Sequence, residues 1–262
     1  MDDPGVVDRR FQAVNVPEPR GFPSRPMTIH GLEGRPAAWI LSRDGSGPST
    51  RLLEVPPGWG TSLRGSFTGD VELFVISGRV EADGRRMGAD TLWGARAGTV
   101  VCGLGSSEGA TLLLFSGAPL RFMPGEGEED PERPDPVVAG EREWVQMPGA
   151  PSKSRQRELA PSLRGGAYWQ TAAIDLNLDR WYVDDEPTEV FVLEGSWQQA
   201  ARGKQGPEVV EFPREGYFYR PAGVWHGGAL TGTSTVALLL IRAGAAPSRH
   251  ADAPGEYPAC LR

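Results

Sequence analysis

Apolar residues in this chain come in short runs, closed off by glycine, proline and aspartate about every 8–12 residues, the spacing of a sandwich or barrel. Glu189–Leu193 and Thr235–Ile241 are two such runs, rich in the residues that favour strands. No segment sustains the 3.6-residue period of a long amphipathic helix. Within Glu189-Val190-Phe191-Val192-Leu193, period two sets Glu189, Phe191 and Leu193 on one face. That face is expected to be the interior, where a carboxylate needs a cation, a metal or a hydrogen-bond donor. A salt bridge with Arg220 is the structural way to meet that need.

The strand pattern occurs twice. Glu72-Leu73-Phe74-Val75-Ile76-Ser77-Gly78 returns as Glu189-Val190-Phe191-Val192-Leu193-Glu194-Gly195, 117 residues on. Leu112-Leu113-Leu114-Phe115 returns as Leu238-Leu239-Leu240-Ile241, 126 residues on, so the second copy holds a modest insertion. Two matches in one order mark a duplication. The expected division is an N-terminal barrel over 1–122, an acidic Pro/Gly linker over 123–141, a C-terminal barrel over 142–247 and a tail over 248–262. The linker has too few apolar residues to bury and is expected to be exposed. The tail could be strapped to a barrel by Tyr257 and Leu261.

Composition narrows the picture. The 35 glycines and 24 prolines of the 262 residues follow no collagen-like period and fit many turns. A net charge of −7 argues against nucleic acid, whose phosphates require a basic footprint. The two cysteines, Cys102 and Cys260, fit a reducing compartment, and Cys102 beside Val101 and Gly103 reads as a small buried thiol. No apolar run approaches the roughly 20 residues of a membrane span. Met1-Asp2-Asp3-Pro4 lacks the basic and apolar parts of a signal peptide, so a cytoplasmic protein is expected. A phosphate-cradling glycine loop, a Cys-x-x-Cys pair and a Gly-x-Ser-x-Gly turn are all absent.

In the second copy, Gly216-Tyr217-Phe218-Tyr219-Arg220-Pro221-Ala222-Gly223-Val224-Trp225-His226 resembles the second cupin motif: a glycine, a short strand, then Pro-x-Gly-x-x-His. Glu189–Gly195 resembles the end of the first cupin motif, where a metal-binding glutamate opens a strand closed by a glycine turn. The chain is thus similar to two-barrel cupins of uncharacterised function and to the cupin domain of zinc-binding anti-sigma factors. The resemblance implies an all-β fold of two tandem jelly-roll barrels. It also implies one divalent transition metal (Fe, Mn, Ni or Zn) held by three histidines and a glutamate. Here the sequence departs from the family, because Tyr182 and Asp184 stand where the His-x-His pair belongs. The remaining candidates for metal are His226, Glu189 and Asp184, and the alternative is a metal-free pocket. The first copy is more eroded, with no histidine before Glu72 and Val101 or Cys102 at the position of His226.

His226 and Glu189 are the candidate catalytic residues, as acid and base or as metal ligands. Tyr182, Tyr217, Tyr219 and Trp225 would line an aromatic pocket, in which Arg220 could clamp a carboxylate or phosphate. Arg220 would instead lie at the surface if strand parity turns Tyr217 and Tyr219 inward. His30 and His250 lack partners at ligand spacing and are assigned to structure or solvent. The expected function is a small-molecule enzyme working in the second barrel. It would be an oxygenase with metal bound, or an isomerase, cyclase or lyase without. The alternative is a non-catalytic small-ligand binding or sensor protein. The expected partners are a small molecule and a second copy of the chain in a homodimer, with neither nucleic acid nor membrane.

Overall fold

The computed structural model describes residues 14–44, 47–147, 153–174, 177–203, 206–224, 226–230, 236–244 and 249–252. Among them the chain is built of β-strands, broken only by two short 3₁₀ turns, Pro19–Gly21 and Ala139–Glu141. No helix among the described residues is long and apolar enough to cross a membrane. Two compact units separate. The first contains Arg20–Glu141 and Ser162–Arg164; the second contains the segment ending at Pro19, the segment from Arg142 to Pro161, and the chain from Gly165 onward.

In the first unit a seven-stranded sheet runs in the order Val137–Val138, Thr91–Ala95, Val71–Gly78, Ala110–Ser116, Ser49–Val55, Ala37–Arg43 and Arg25–Pro26. A five-stranded sheet runs Phe122–Pro124, Trp59–Phe67, Val100–Ser106, Val80–Ala82 and Arg85–Met87. Every pairing between these strands is antiparallel. Val71, Leu73 and Val75 alternate into a core shared with Trp93, Val101, Leu112 and Phe122. The residues between them, Glu72 and Phe74, are buried as well. Burial on both faces explains why this strand reads as a continuous apolar run rather than an alternation. Phe122 packs edge-on against Phe67 at 5.3 Å. Gly65 makes that possible, since a Cβ there would lie 2.8 Å from the Phe122 ring.

The acidic segment is largely exposed, and its backbone and side chains are nonetheless tied to this unit. Glu128 and Gly98 pair through backbone bonds, and Arg133 bridges Asp83 at 2.7 Å while its Nη1 donates to the carbonyl of Val100. Backbone and ion pairs hold the segment, a route that a count of apolar residues does not register.

The second unit is one wrapped sheet whose spine is the long strand Thr188–Gly203. Its first half pairs with Tyr217–Arg220 and Val236–Ala243, its second half with Gly206–Pro213 and His226–Leu230. Val190, Val192, Trp197, Phe212, Phe218 and Leu239 form the core. Arg249–Asp252 pairs with the strand Asn177–Val183, so part of the expected tail is strand; Tyr257 and Leu261 lie outside the described residues.

The two units repeat one design in detail. Gly78 and Gly195 close matching strands at φ 77° and 73°, and Gly98 and Gly223 share φ 77°. The Gly98 amide donates to the carbonyl of Phe67 and the Gly223 amide to that of Asp184. Leu112 pairs with Val75 and Leu239 with Val192, so the late strands stand 127 residues apart. This corrects the 126-residue spacing read from the sequence. A run of three consecutive leucines, buried on both sides, cannot fix its own register.

Candidate functional site

Matching strand positions give the two barrels opposite interiors. On the inner face of the first stand Phe67, Val71, Ala82, Ala95 and Val101, all within its apolar core. The corresponding residues of the second are Asp184, Thr188, Gln199 and Arg220, and the backbone position that matches Val101 is His226. Strand pairing supports these matches: Val71 faces Ala95 as Thr188 faces Arg220, and Gly65 faces Val101 as Tyr182 faces His226. The side chains of Tyr182 and His226, and all of Trp225, lie outside the described residues.

Thr188 is 8% exposed and donates its hydroxyl to Asp184 Oδ2 at 2.7 Å. It shares a face with Val190 and Val192, so on the interior it is Thr188, not Glu189, that opens the strand. Arg220 is 1% exposed. Its guanidinium lies 4.9 Å from the ring centre of Phe218. Nη1 donates to the carbonyls of Val14 (3.1 Å) and Tyr219 (3.0 Å), and Nη2 makes a long 3.4 Å contact with Gln199 Oε1. Nε is buried without a hydrogen-bond partner. Burial disfavours the charged form and lowers the Arg220 pKa to about 10, well below the usual guanidinium range, against a partial opposing effect of Tyr217.

Glu189 sits on the other face of its strand, which corrects the expectation of an interior carboxylate. It is 2% exposed, and its cation is Arg242 rather than Arg220. Arg242 Nε and Nη2 donate to Oε1 at 3.2 and 2.8 Å, while the Tyr217 hydroxyl donates to Oε2 at 3.0 Å. Tyr219 pairs directly with Glu189 and takes the same side. Tyr217 and Tyr219 therefore face away from the core, and Phe218 and Arg220 face into it. Glu72 repeats the arrangement in the first unit, where the Leu163 amide, the Ser162 hydroxyl and the Arg164 guanidinium reach its carboxylate. The repeated glutamate is a buried anion held by an arginine in both copies.

Among the described residues no cluster of three or more His, Cys, Asp or Glu side chains could hold a metal. The described interior offers one carboxylate, Asp184, which accepts from the Thr188 hydroxyl. These described donors alone are too few to hold a metal. Cys102, expected to be buried, is an exposed free thiol. It pairs with Arg64 on the outer side, while its neighbour Val101 takes the inward position. His30 is exposed, and the backbone of His250 lies opposite Tyr182 on an added strand. A glycine-lined cleft of about 670 Å³ in the first unit, with Trp59, Thr61, Cys102 and Leu104 in its lining, has no signature in the sequence.

No protein-family model matches the chain, and no curated protein matches it. Solved structures do. A Nostoc punctiforme protein described as a candidate dioxygenase aligns with TM-score 0.72 at 17% identity, over 90% of this chain and 83% of its own. Bacillus subtilis oxalate decarboxylase, in a study of its Mn(II) centres, aligns with TM-score 0.59 at 10% identity, over 86% and 77% of the two chains. A further structure of that enzyme, on its substrate binding mode, gives TM-score 0.60 at 12% identity. Together with the strand architecture, these likenesses show the fold, that of tandem cupin-type jelly-roll barrels.

Proposed function

We propose that this is a small-molecule enzyme of cupin type whose second barrel is the working site, with His226 as the acid–base group and Thr188, Asp184, Gln199 and Arg220 contacting substrate. One observation supports this: polar and ionisable residues occupy, in the second barrel alone, the inner positions that are apolar in the first. Interior polar groups cost stability unless paired, so four such exchanges among the described side chains of one barrel are retained most simply for a ligand. Glu189 is assigned to structure. A histidine in such a pocket exchanges protons near neutral pH and suits isomerase, cyclase or lyase chemistry. The test is a thermal-shift screen of small metabolite-like compounds against the wild-type chain, His226→Ala and Thr188→Val. Compounds that stabilise the wild type and lose their effect in both variants are expected. A screen in which no stabilisation depends on either residue would overturn the site.

A metal-dependent oxygenase or decarboxylase is the second reading, favoured by the names of the solved relatives, one a candidate dioxygenase and the other a decarboxylase with Mn(II) centres. Elemental analysis of protein purified without chelator decides between them. One equivalent of transition metal, lost in His226→Ala, would restore the oxygenase reading. A non-catalytic sensor would bind the same ligands and return them unchanged on prolonged incubation.

A further inference from the structure

Arg220 is a cation placed where its counterpart in the first barrel is Ala95, inside a wall that includes Val190 and Phe218. Among the described residues no carboxylate pairs with it, and its hydrogen bonds go to two backbone carbonyls and a glutamine oxygen. A charge taken out of water needs an opposite charge or a full set of acceptors, and Arg220 has neither. The unsatisfied part is specific. Nη1 is bound on the strand side, whereas Nε has no acceptor and Nη2 has only the 3.4 Å contact. Nε and Nη2 form the edge of a guanidinium that presents two parallel N–H groups, the spacing of a carboxylate's two oxygens. The same unit shows this edge in use on a carboxylate, since Arg242 applies its own Nε and Nη2 to one oxygen, Oε1, of Glu189.

We infer that the second barrel takes a small molecule bearing a free carboxylate, and that the Nε–Nη2 edge of Arg220 receives it. This rests on the reading of the second barrel as the working site and names its substrate class. A phosphate fits less well. One guanidinium edge satisfies two oxygens, which matches a carboxylate and leaves a phosphate's remaining oxygens and second charge without a cation among the described residues. The carboxylate would in turn supply the counter-charge the guanidinium lacks.

The test is calorimetric titration and thermal shift on the full chain with sodium acetate, benzoate and succinate, beside benzamide and inorganic phosphate, for wild type and Arg220→Lys. At least one carboxylate is expected to bind and stabilise the wild type, with benzamide and phosphate at least tenfold weaker. Arg220→Lys keeps the charge and loses the fork, and is expected to weaken carboxylate binding at least tenfold. Should that variant fail to fold, NMR of the wild type serves instead: benzoate, and not benzamide, shifts one buried arginine Nε–H resonance. Absence of carboxylate binding overturns the inference, as does phosphate binding of equal strength. Benzamide binding that Thr188→Val abolishes and Arg220→Lys leaves intact would overturn the carboxylate while sparing the second barrel as the site.

Discussion

Burying a guanidinium beside Phe218 with one nitrogen unsatisfied weakens the empty protein, and the sign of that effect separates a functional arginine from a structural one. Arg220→Met keeps the volume and removes the desolvated charge, at the loss of two hydrogen bonds to backbone carbonyls. Replacing buried charge by apolar side chains is often neutral or stabilising, by about 1–4 kcal/mol. The expected outcome is a melting temperature equal to or above that of the wild type, with carboxylate binding abolished. A fall of about 3 kcal/mol in urea unfolding would mark Arg220 as structural, on the scale of a broken buried pair. The pH dependence follows from the depressed pKa. The folded state holds this proton less tightly than the unfolded state, so the penalty is complete below about pH 10 and lessens as pH rises above it. The advantage of Arg220→Met over wild type should therefore shrink above about pH 10, as measured by paired melts across that range. Arg220 was legible in the sequence as an anion-binding candidate, but its direction was not. Tyr217-Phe218-Tyr219-Arg220 is bulky at every position and buried throughout, so alternation offered no face to choose.

Strands buried on both sides set the rules at the next scale. The duplicated motif was legible because its glycine turns recur at matching φ, but the face taken by Glu72 and Glu189 was not. A carboxylate between apolar neighbours looks like an interior site, and only the pairing partners show that it lies opposite the core. If Glu189 and Arg242 form a structural pair, breaking it leaves a lone buried charge. Glu189→Gln should then lose about 3–5 kcal/mol in urea unfolding, whereas Glu189→Leu combined with Arg242→Met recovers most of that loss. Carboxylate binding should survive in the double variant; its disappearance would return Glu189 to the site. In the first barrel the interior is filled by aromatic and aliphatic groups, and Phe122 closes it against Phe67. Phe122→Ala should cost about 3–5 kcal/mol in the same measurement, because the sheets around it cannot collapse into the space.

Over the whole molecule, chain order and folding unit part company. Val14–Val16 precedes the first barrel in sequence yet adds a strand to Tyr217–Tyr219 of the second unit. Val137–Val138, just before the second barrel, adds to Thr91–Leu92 of the first. A reading that seeks boundaries in composition assigns the first segment to the barrel it precedes and the second to the linker, since two or three residues of edge strand carry no signal of which sheet they join. The exchange has a functional consequence, because the Val14 carbonyl accepts from Arg220 Nη1 and helps hold the guanidinium with its other edge free. Removing residues 1–18 should therefore act far from where the sequence is cut. Amide hydrogen exchange is expected to quicken along Tyr217–Arg220 and to stay unchanged along the first barrel's Leu112–Phe115 strand. Benzoate affinity should fall several-fold with the loss of an anchor for Arg220. If the truncated chain keeps full protection at Tyr217–Arg220, the N-terminal strand contributes nothing to the second unit. If protection falls but affinity does not, Tyr219 and Gln199 alone suffice to aim the guanidinium.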